Sequence, residues 1–171
     1  MVVHPKDGMT SSISFSWIVA LTFGLQIFFD FEGYSCIARG LAYIFGFTFP
    51  KNFNYPYLAR SYKEFWSRWH ITLSTWFRDY VYISLGGNRS SKFRTARNLL
   101  ITMAIAGIWH GASWTFLYWG LIHGVLLIFE RALNMQHSKV GLFPGLFWRL
   151  FVFVTIIYSW VWFRSDTAHS A

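Results

Sequence analysis

Residues 98–130 read NLLITMAIAGIWHGASWTFLYWGLIHGVLLIFE, and this stretch decides the fold class. Two apolar runs flank the pair Trp109-His110, and the small residues Gly111 and Ser113 follow that pair. The first run is too short to cross a bilayer, because a spanning helix needs about 20 residues. An ionisable side chain and irregular backbone at membrane depth are tolerated where protein or a cavity surrounds them. The stretch therefore predicts that His110 lies at a helix end, near mid-membrane depth, facing a cavity, a partner or a substrate path.

The composition of the 171-residue chain is that of an integral membrane protein. It is 54% hydrophobic, 22% aromatic and only 13% charged, whereas a soluble domain carries about 25% charged residues. The 15 basic and 7 acidic residues give a net charge of +8. Because the basic residues gather in loops beside apolar runs, we assign them to membrane-surface contact rather than to nucleic acid. Residues 89–97, with four cations and no acid, are predicted to face the cytoplasm.

The hydrophobic pattern predicts an all-α fold, a polytopic membrane helical bundle with short, tilted or re-entrant helices. Residues 62–85 are unusual because charged residues mix with aromatic residues, and the apolar ones recur at three- and four-residue spacing. We interpret that segment as an amphipathic helix that lies in the interface or lines a cavity. The spanning or embedded helices are expected at residues 13–29, 37–49, 62–85, 98–110, 113–130 and 146–163.

The two ends of the chain predict that it is a piece of a larger membrane protein. Residues 1–8 lack the apolar core of a signal peptide and are expected to form a loop. At the other end, the chain stops soon after its last apolar run. The single cysteine, Cys36, excludes an internal disulfide and a thiolate metal cluster.

Two histidines are the candidate catalytic residues. His110 is a candidate general base, because imidazole titrates near neutral pH and can take a proton from a hydroxyl. The alternative of equal weight is that the His110 side chain is hydrogen-bonded between helices and serves only their packing. His70 is either an interface histidine or a group that orients substrate or holds a second proton. The 13 positions between His110 and His123 fit no compact ligand motif, so we predict no metal site, while haem held by two histidines stays open.

Other motifs narrow the function class. The adjacent residues Arg78 and Asp79 form either an ion pair that orients part of a polar tunnel or a purely structural pair. The chain has no nucleophile elbow, no phosphate-binding loop and no dinucleotide fingerprint, so hydrolase, ATPase and dehydrogenase functions lose support. A non-enzymatic membrane scaffold or transporter component is the alternative to an enzyme, and a haem-binding electron carrier is a third class.

Two motifs carry a resemblance to a known family. Residues 65–82, FWSRWHITLSTWFRDYVY, and residues 108–114, IWHGASW, resemble the membrane-bound O-acyltransferase (MBOAT) family. Residues 30–34 and 54–57 are similar to its bacterial alginate O-acetylation branch. The similarity runs across nearly all of residues 21–164, so it covers more than the two motifs.

The resemblance implies a multi-pass enzyme of the bacterial inner membrane. Such an enzyme moves an acetyl group from a cytoplasmic thioester donor across the membrane to hydroxyls of an exported polysaccharide such as alginate. The resemblance also implies that residues 1–171 are a C-terminal-half portion of one such domain. It implies no bound cofactor, since the acyl thioester donor is a substrate. The implied partners are periplasmic acetyltransferase proteins, the polysaccharide and membrane lipid.

The family's functional residues carry over one by one. The resemblance implies that His110 matches the active-site histidine and that His70 matches a second functional histidine of bacterial members. The candidates for a substrate tunnel or for substrate orientation are Trp109, Arg78, Asp79 and Ser74. The oxyanion of a tetrahedral intermediate is expected to find donors at the helix terminus near Gly111 and Ala112 or at the indole of Trp109.

Overall fold

A computed structural model describes residues 13–135 and 142–165, with the backbone alone for residues 142–144. Within those ranges the chain is helical and contains no strand, which confirms the all-α fold. The α-helices are α1 (Ile13–Ile44), α2 (Tyr62–Arg68), α3 (Ile71–Trp76), α4 (Lys92–His110), α5 (Trp114–Ala132) and α6 (Leu142–Arg164).

Two shorter elements complete the path of the chain. A 3₁₀ turn at Pro56–Leu58 precedes α2, and a π-helical segment at Phe77–Tyr82 continues directly from α3. The loop expected at residues 1–8 lies outside the described residues, and so do residues 166–171 at the other end of the chain.

α1 is one continuous helix of 32 residues. The separate helices expected at residues 13–29 and 37–49 were therefore wrong. A glycine such as Gly33 inside a helix costs only about 1 kcal/mol relative to alanine, and the chain has no proline in this region before Pro50. The helix ends shortly before Gly46, whose φ of 81° makes it a left-handed cap.

The single amphipathic helix expected over residues 62–85 was also wrong. The helix breaks at His70, whose φ of 42° and ψ of 56° are left-handed, and α2 and α3 are separate short helices. Trp69 is buried, whereas Trp76 is 49% exposed and Tyr80 is 68% exposed. The aromatic residues therefore do not share one face, and the break places His70 on a turn between two helices.

α4 begins earlier than the expected residues 98–110 and ends where expected. It starts at Lys92 because the hydroxyl of Ser91 accepts the N–H of Arg94 at 3.4 Å, which caps the helix. It ends at His110. α5 and α6 begin and end within four residues of their expected bounds.

α4 and α5 form a closely packed antiparallel hairpin. A Cβ on Gly107 would lie 2.3 Å from the carbonyl oxygen of Phe116, and a Cβ on Gly120 would lie 2.2 Å from the carbonyl oxygen of Met103. Both distances are far below van der Waals contact, so these two positions accept only glycine at this helix separation. The close approach fixes the end of α4, and hence His110, against α5.

Two described helices, Ile13–Ile44 and Gly145–Arg164, are long and apolar enough to span a membrane. α1 and α6 approach each other at Gly24, where an added Cβ would lie 2.9 Å from Cδ1 of Ile157. The hydroxyl of Tyr57 donates to the carbonyl of Gly24 at 2.5 Å, which ties the loop before α2 to α1. An aromatic core joins the helices, and its large buried members include Phe53, Tyr62, Phe65, Trp69, Trp119, Trp148 and Trp160.

Candidate active site

His110 lies where α4, α5 and α6 meet. It is the last residue of α4. The next residue, Gly111, has no room for a side chain, because a Cβ there would lie 2.8 Å from the ring of Phe116. The half-buried imidazole packs edge-on against Trp119, with ring centres 5.1 Å apart, and against Phe163, at 5.0 Å. Among the described residues, no hydrogen bond reaches either ring nitrogen of His110. Both nitrogens are therefore available to a bound molecule.

A cavity of about 450 Å³ opens beside His110. Its wall includes His110, apolar residues of α4 and α5, and hydroxyl groups such as those of Ser74 and Thr102. Lys63, Arg78 and Arg131 add three cationic side chains to the wall. Ligand sites have volumes of about 300–1,000 Å³ and are mostly apolar with a few placed polar groups, and this cavity fits that description.

His70 occupies the turn between α2 and α3. Its Nδ1 lies 3.1 Å from Oδ1 of Asn52, and its ring packs edge-on against Phe31 with centres 4.7 Å apart. His70 lies in a turn, outside the two helices that are long enough to span a membrane. Burial lowers the pKa of His70 to about 4, so the imidazole is neutral at neutral pH.

Trp109 connects the two candidate histidines. Its indole ring is edge-on to both imidazoles, at 6.3 Å from His70 and 5.0 Å from His110. The two imidazoles are near enough that a charge on one would oppose a charge on the other. A proton on one imidazole therefore disfavours a proton on the other.

The structure brings some of the predicted site residues to the cavity and leaves others beside it. His110, Ser74 and Arg78 line the cavity, while His70 is not part of that wall. The Ser74 hydroxyl donates to the carbonyl of Trp69 at 3.0 Å, so it also closes the break in the helix. Arg78 donates to Asp79 at 2.7 Å, and this hydrogen bond lowers the pKa of the exposed Asp79 carboxyl.

One expected oxyanion donor is already occupied. The N–H of Gly111 donates to the carbonyl of Ile108 at 3.1 Å, so it is not free to bind an oxyanion. Among the described residues, the N–H of Ala112 and the indole N–H of Trp109 have no hydrogen-bond acceptor; Trp109 directly precedes His110, and Ala112 lies two residues after it. The helix end therefore keeps two of its three expected donors.

Sequence reasoning missed two residues that organise the site. Glu130, at the end of α5, is fully buried and accepts the N–H of Tyr62 and, at 3.3 Å, the N–H of Lys63. It thereby caps the first turn of α2 from another helix. Asn52, in the loop after α1, contacts His70 as described above. A lone carboxylate ending an apolar run was a signal for Glu130, whereas a polar loop gave none for Asn52.

His123 has a different role from the other two histidines. It is fully buried, and its Nε2 lies 2.9 Å from the hydroxyl of Ser159 on α6. Its ring stacks on Phe65 and packs edge-on against Trp66. Within residues 13–135 and 142–165, no group of three or more His, Cys, Asp or Glu side chains is arranged to hold a metal ion.

Comparison with known proteins places this sequence in a family. The sequence profile of the membrane-bound O-acyltransferase family matches residues 6–164, nearly the whole chain. This chain belongs to that family. The match includes both motifs that carry the resemblance, as well as the helices that form the cavity wall beside His110.

Individual relatives are bacterial acyl-transfer proteins. The chain is 51% identical to a probable alginate O-acetylase of Azotobacter vinelandii, over 88% of this chain and 30% of that protein. It is 42% identical to a peptidoglycan O-acetyltransferase of Helicobacter pylori, over 94% of this chain and 31% of that protein. It is 38% identical to a teichoic acid D-alanyltransferase of Streptococcus thermophilus, over 74% of this chain and 34% of that protein. The chain thus spans about a third of the length of these relatives.

Proposed function

We propose that this chain carries the catalytic centre of a bacterial membrane O-acyltransferase. The enzyme takes an acetyl group from a cytoplasmic thioester donor and transfers it across the inner membrane to hydroxyls of an exported polysaccharide such as alginate. The observation that carries the proposal is the position of His110, at a helix end on a cavity wall with both ring nitrogens free. The names of the relatives support acyl transfer to a cell-surface polymer.

The reaction follows from that position. His110 accepts the proton of the acceptor hydroxyl, and the oxygen attacks the carbonyl carbon of the thioester. The N–H of Ala112 and the indole of Trp109 are the donors nearest in the chain for the resulting oxyanion. The C–S bond then breaks, the ester forms, and the leaving thiolate takes the proton from His110. Acyl transfer is complete with the imidazole neutral again.

The cavity wall suits a donor with an apolar reactive arm and an anionic end. Its apolar residues exclude water, which would otherwise hydrolyse the thioester. Lys63, Arg78 and Arg131 supply positive charge for phosphate or carboxylate groups of the donor. Ser74 and Arg78 on the cavity wall, Asp79 paired with Arg78, and Trp109 packed against His70 and His110 are the residues that orient substrate in this proposal.

The cellular setting is part of the same proposal. A multi-pass protein of the inner membrane has access to a cytoplasmic donor on one side and an exported polymer on the other. Periplasmic acetyltransferase proteins then take part in placing the acetyl group on the polysaccharide. The cationic residues 89–97 mark the cytoplasmic side.

A complementation experiment tests the proposal. In a chimera, this chain replaces the segment that it matches in the Azotobacter vinelandii relative, and the host strain lacks its own alginate O-acetylase. Acetyl esters on the exported alginate are then measured. Restored acetylation supports the enzyme, whereas a chimera that accumulates in the membrane without restoring esters favours a scaffold or transporter component.

A further inference from the structure

Asn52 holds the turn that carries His70. Its Oδ1 accepts the N–H of Thr72 at 3.3 Å and the hydroxyl of Thr72 at 3.0 Å, and it lies 3.1 Å from Nδ1 of His70. Its backbone carbonyl accepts the N–H of Ile71 at 2.8 Å. One residue therefore makes four contacts with three successive residues of the turn.

These contacts decide which ring nitrogen of His70 carries the proton. The backbone N–H of Thr72 can only donate, so the side-chain atom of Asn52 that it meets is the amide oxygen, which can only accept. Nδ1 of His70 must then be the donor in the bond to the same oxygen. A neutral imidazole with a proton on Nδ1 has its lone pair on Nε2, so Nε2 is the acceptor.

The backbone of His70 depends on the same contacts. A φ of 42° is uncommon for a residue other than glycine, and it persists only where the surroundings impose it. Asn52 binds the turn on one side, and the rings of Phe31 and Trp109 pack against the imidazole. The ring is thus fixed in both orientation and tautomer.

We propose that Asn52 is a positioning residue of this site, which holds His70 as the Nδ1–H tautomer and so presents Nε2 as the proton acceptor. This rests on the proposed acyl transfer and on the resemblance, which implies that His70 is a second functional histidine beside His110. Asn52 acts through His70 and touches no reacting atom itself.

The experiment separates tautomer from loop integrity with matched variants. Asn52→Leu and Asn52→Ala remove the acceptor oxygen, whereas Asn52→Asp keeps one. Asn54→Leu is the control in the same loop, because the described hydrogen bonds of Asn54 use its backbone atoms. Thr72→Val removes another bond to Asn52 and leaves the bond to His70 in place.

Two readouts are taken for each variant. The first is ¹⁵N NMR of the full 171-residue chain, labelled at histidine in lipid nanodiscs, with the His70 signals assigned by their loss in His70→Gln. The second is acetyl transfer in the complementation chimera described above. We expect Asn52→Leu and Asn52→Ala to lose the single Nδ1–H form and to lower transfer by about 10²-fold, the lower end of the effect of a proton-transfer group.

Three variants, Asn52→Asp, Asn54→Leu and Thr72→Val, are expected to keep the Nδ1–H tautomer of His70. Asn52→Asp should also retain more acetyl transfer than Asn52→Leu. A spectrum of Asn52→Leu or Asn52→Ala that matches the parent would overturn the proposal, as would undiminished transfer in either. A loss of transfer in Thr72→Val as large as in Asn52→Leu, with the tautomer unchanged, would overturn it in favour of loop integrity. If the parent chimera transfers no acetyl group, the proposed function fails, and the NMR comparison still decides whether Asn52 sets the tautomer.

Discussion

His110 and His123 share one aromatic neighbour and differ in their hydrogen bonds. The ring of Trp119 packs edge-on against His110 at 5.1 Å and at a steep angle against His123 at 5.0 Å. The hydroxyl of Ser159 donates to the carbonyl of Ile156, so it accepts from Nε2 of His123. His123 thereby joins α5 to α6, while neither ring nitrogen of His110 has a hydrogen-bond partner among the described residues.

Removing the hydrogen-bond partner of His123 should lower the stability of the fold more than removing the His123 imidazole itself. In Ser159→Ala, the buried N–H of His123 loses its acceptor, which costs about 1–3 kcal/mol. In His123→Phe, the aromatic shape stays and no polar atom needs a partner, so the loss is smaller. We expect thermal unfolding of the chain in detergent to rank the parent first, His123→Phe second and Ser159→Ala last.

The double variant checks this reasoning. His123→Phe with Ser159→Ala should unfold at a higher temperature than Ser159→Ala alone, because no stranded donor remains. A double variant that is less stable than both single variants would contradict the hydrogen-bond assignment.

At the scale of elements, contacts distant in sequence set the positions of α2 and α4. Glu130 on α5 accepts the first N–H groups of α2, which otherwise lack partners within that helix. Gly107 and Gly120 bring α4 and α5 into backbone contact. The first interaction places the helix that leads to His70, and the second places the helix that ends at His110.

The capping of α2 by Glu130 predicts a graded loss of thermal stability when Glu130 is replaced. Glu130→Gln keeps one carbonyl oxygen as an acceptor, whereas Glu130→Ala leaves the N–H groups of Tyr62 and Lys63 without one. A stranded buried donor costs about 1–3 kcal/mol. Thermal unfolding should therefore rank the parent above Glu130→Gln and Glu130→Gln above Glu130→Ala. Equal stability of the two variants would show that the carboxylate does not act as a cap.

The glycine contact between α4 and α5 predicts a steric effect. Alanine favours a helix over glycine by about 1 kcal/mol, but a Cβ at Gly107 meets the backbone of α5. We expect Gly107→Ala to lower the unfolding temperature. Gly40→Ala, in α1, is the matched control because nothing in the described part of the chain lies within 4 Å of an added Cβ there. A parallel response of the two variants would contradict the close helix contact.

Which elements were predictable depends on the range of the interactions that form them. The end of α4 at His110 was predictable because Gly111 follows a long apolar run. The break at His70 was not, because no glycine or proline marks it and its cause, Asn52, lies 18 residues away. Local sequence marks Glu130 as an unusual carboxylate at the end of an apolar run, but its partner Tyr62 lies 68 residues away, so the capping role was not predictable. α1 was wrongly divided because its glycines resemble stop signals without an accompanying proline.

At the scale of the molecule, α1 and α6 are the described helices fit to span a membrane, and α1 exposes most of its apolar surface. Only 11% of the most apolar 18-residue stretch of α1 is buried, against 33% for the corresponding stretch of α6. Apolar surface of this kind suits contact with lipid or with further membrane helices. The exposed residues Ser90 and Lys92 lie in the cationic segment 89–97 at the start of α4, which the positive-inside bias assigns to the cytoplasm.

That orientation can be measured with a single cysteine. In a Cys36→Ser background, Ser90→Cys should resist a membrane-impermeant thiol reagent applied to intact spheroplasts and should react once the membrane is opened. A cysteine engineered at a periplasmic loop of the chimera's flanking segments reports that the reagent is active. Labelling of Ser90→Cys in closed cells would reverse the proposed orientation and the side from which the donor enters.

The acetyl-ester content produced by a complementation chimera that carries His110→Gln tests directly whether His110 is the catalytic base. Glutamine preserves much of the size of the side chain but cannot accept and release a proton at neutral pH. We expect transfer to fall by about 10²–10⁴-fold, the effect of losing a general base. His123→Phe, the matched control, should retain transfer at comparable membrane abundance. Acetylation near the parent level in His110→Gln, with the protein present in the membrane, would contradict the assignment of His110 as the catalytic base.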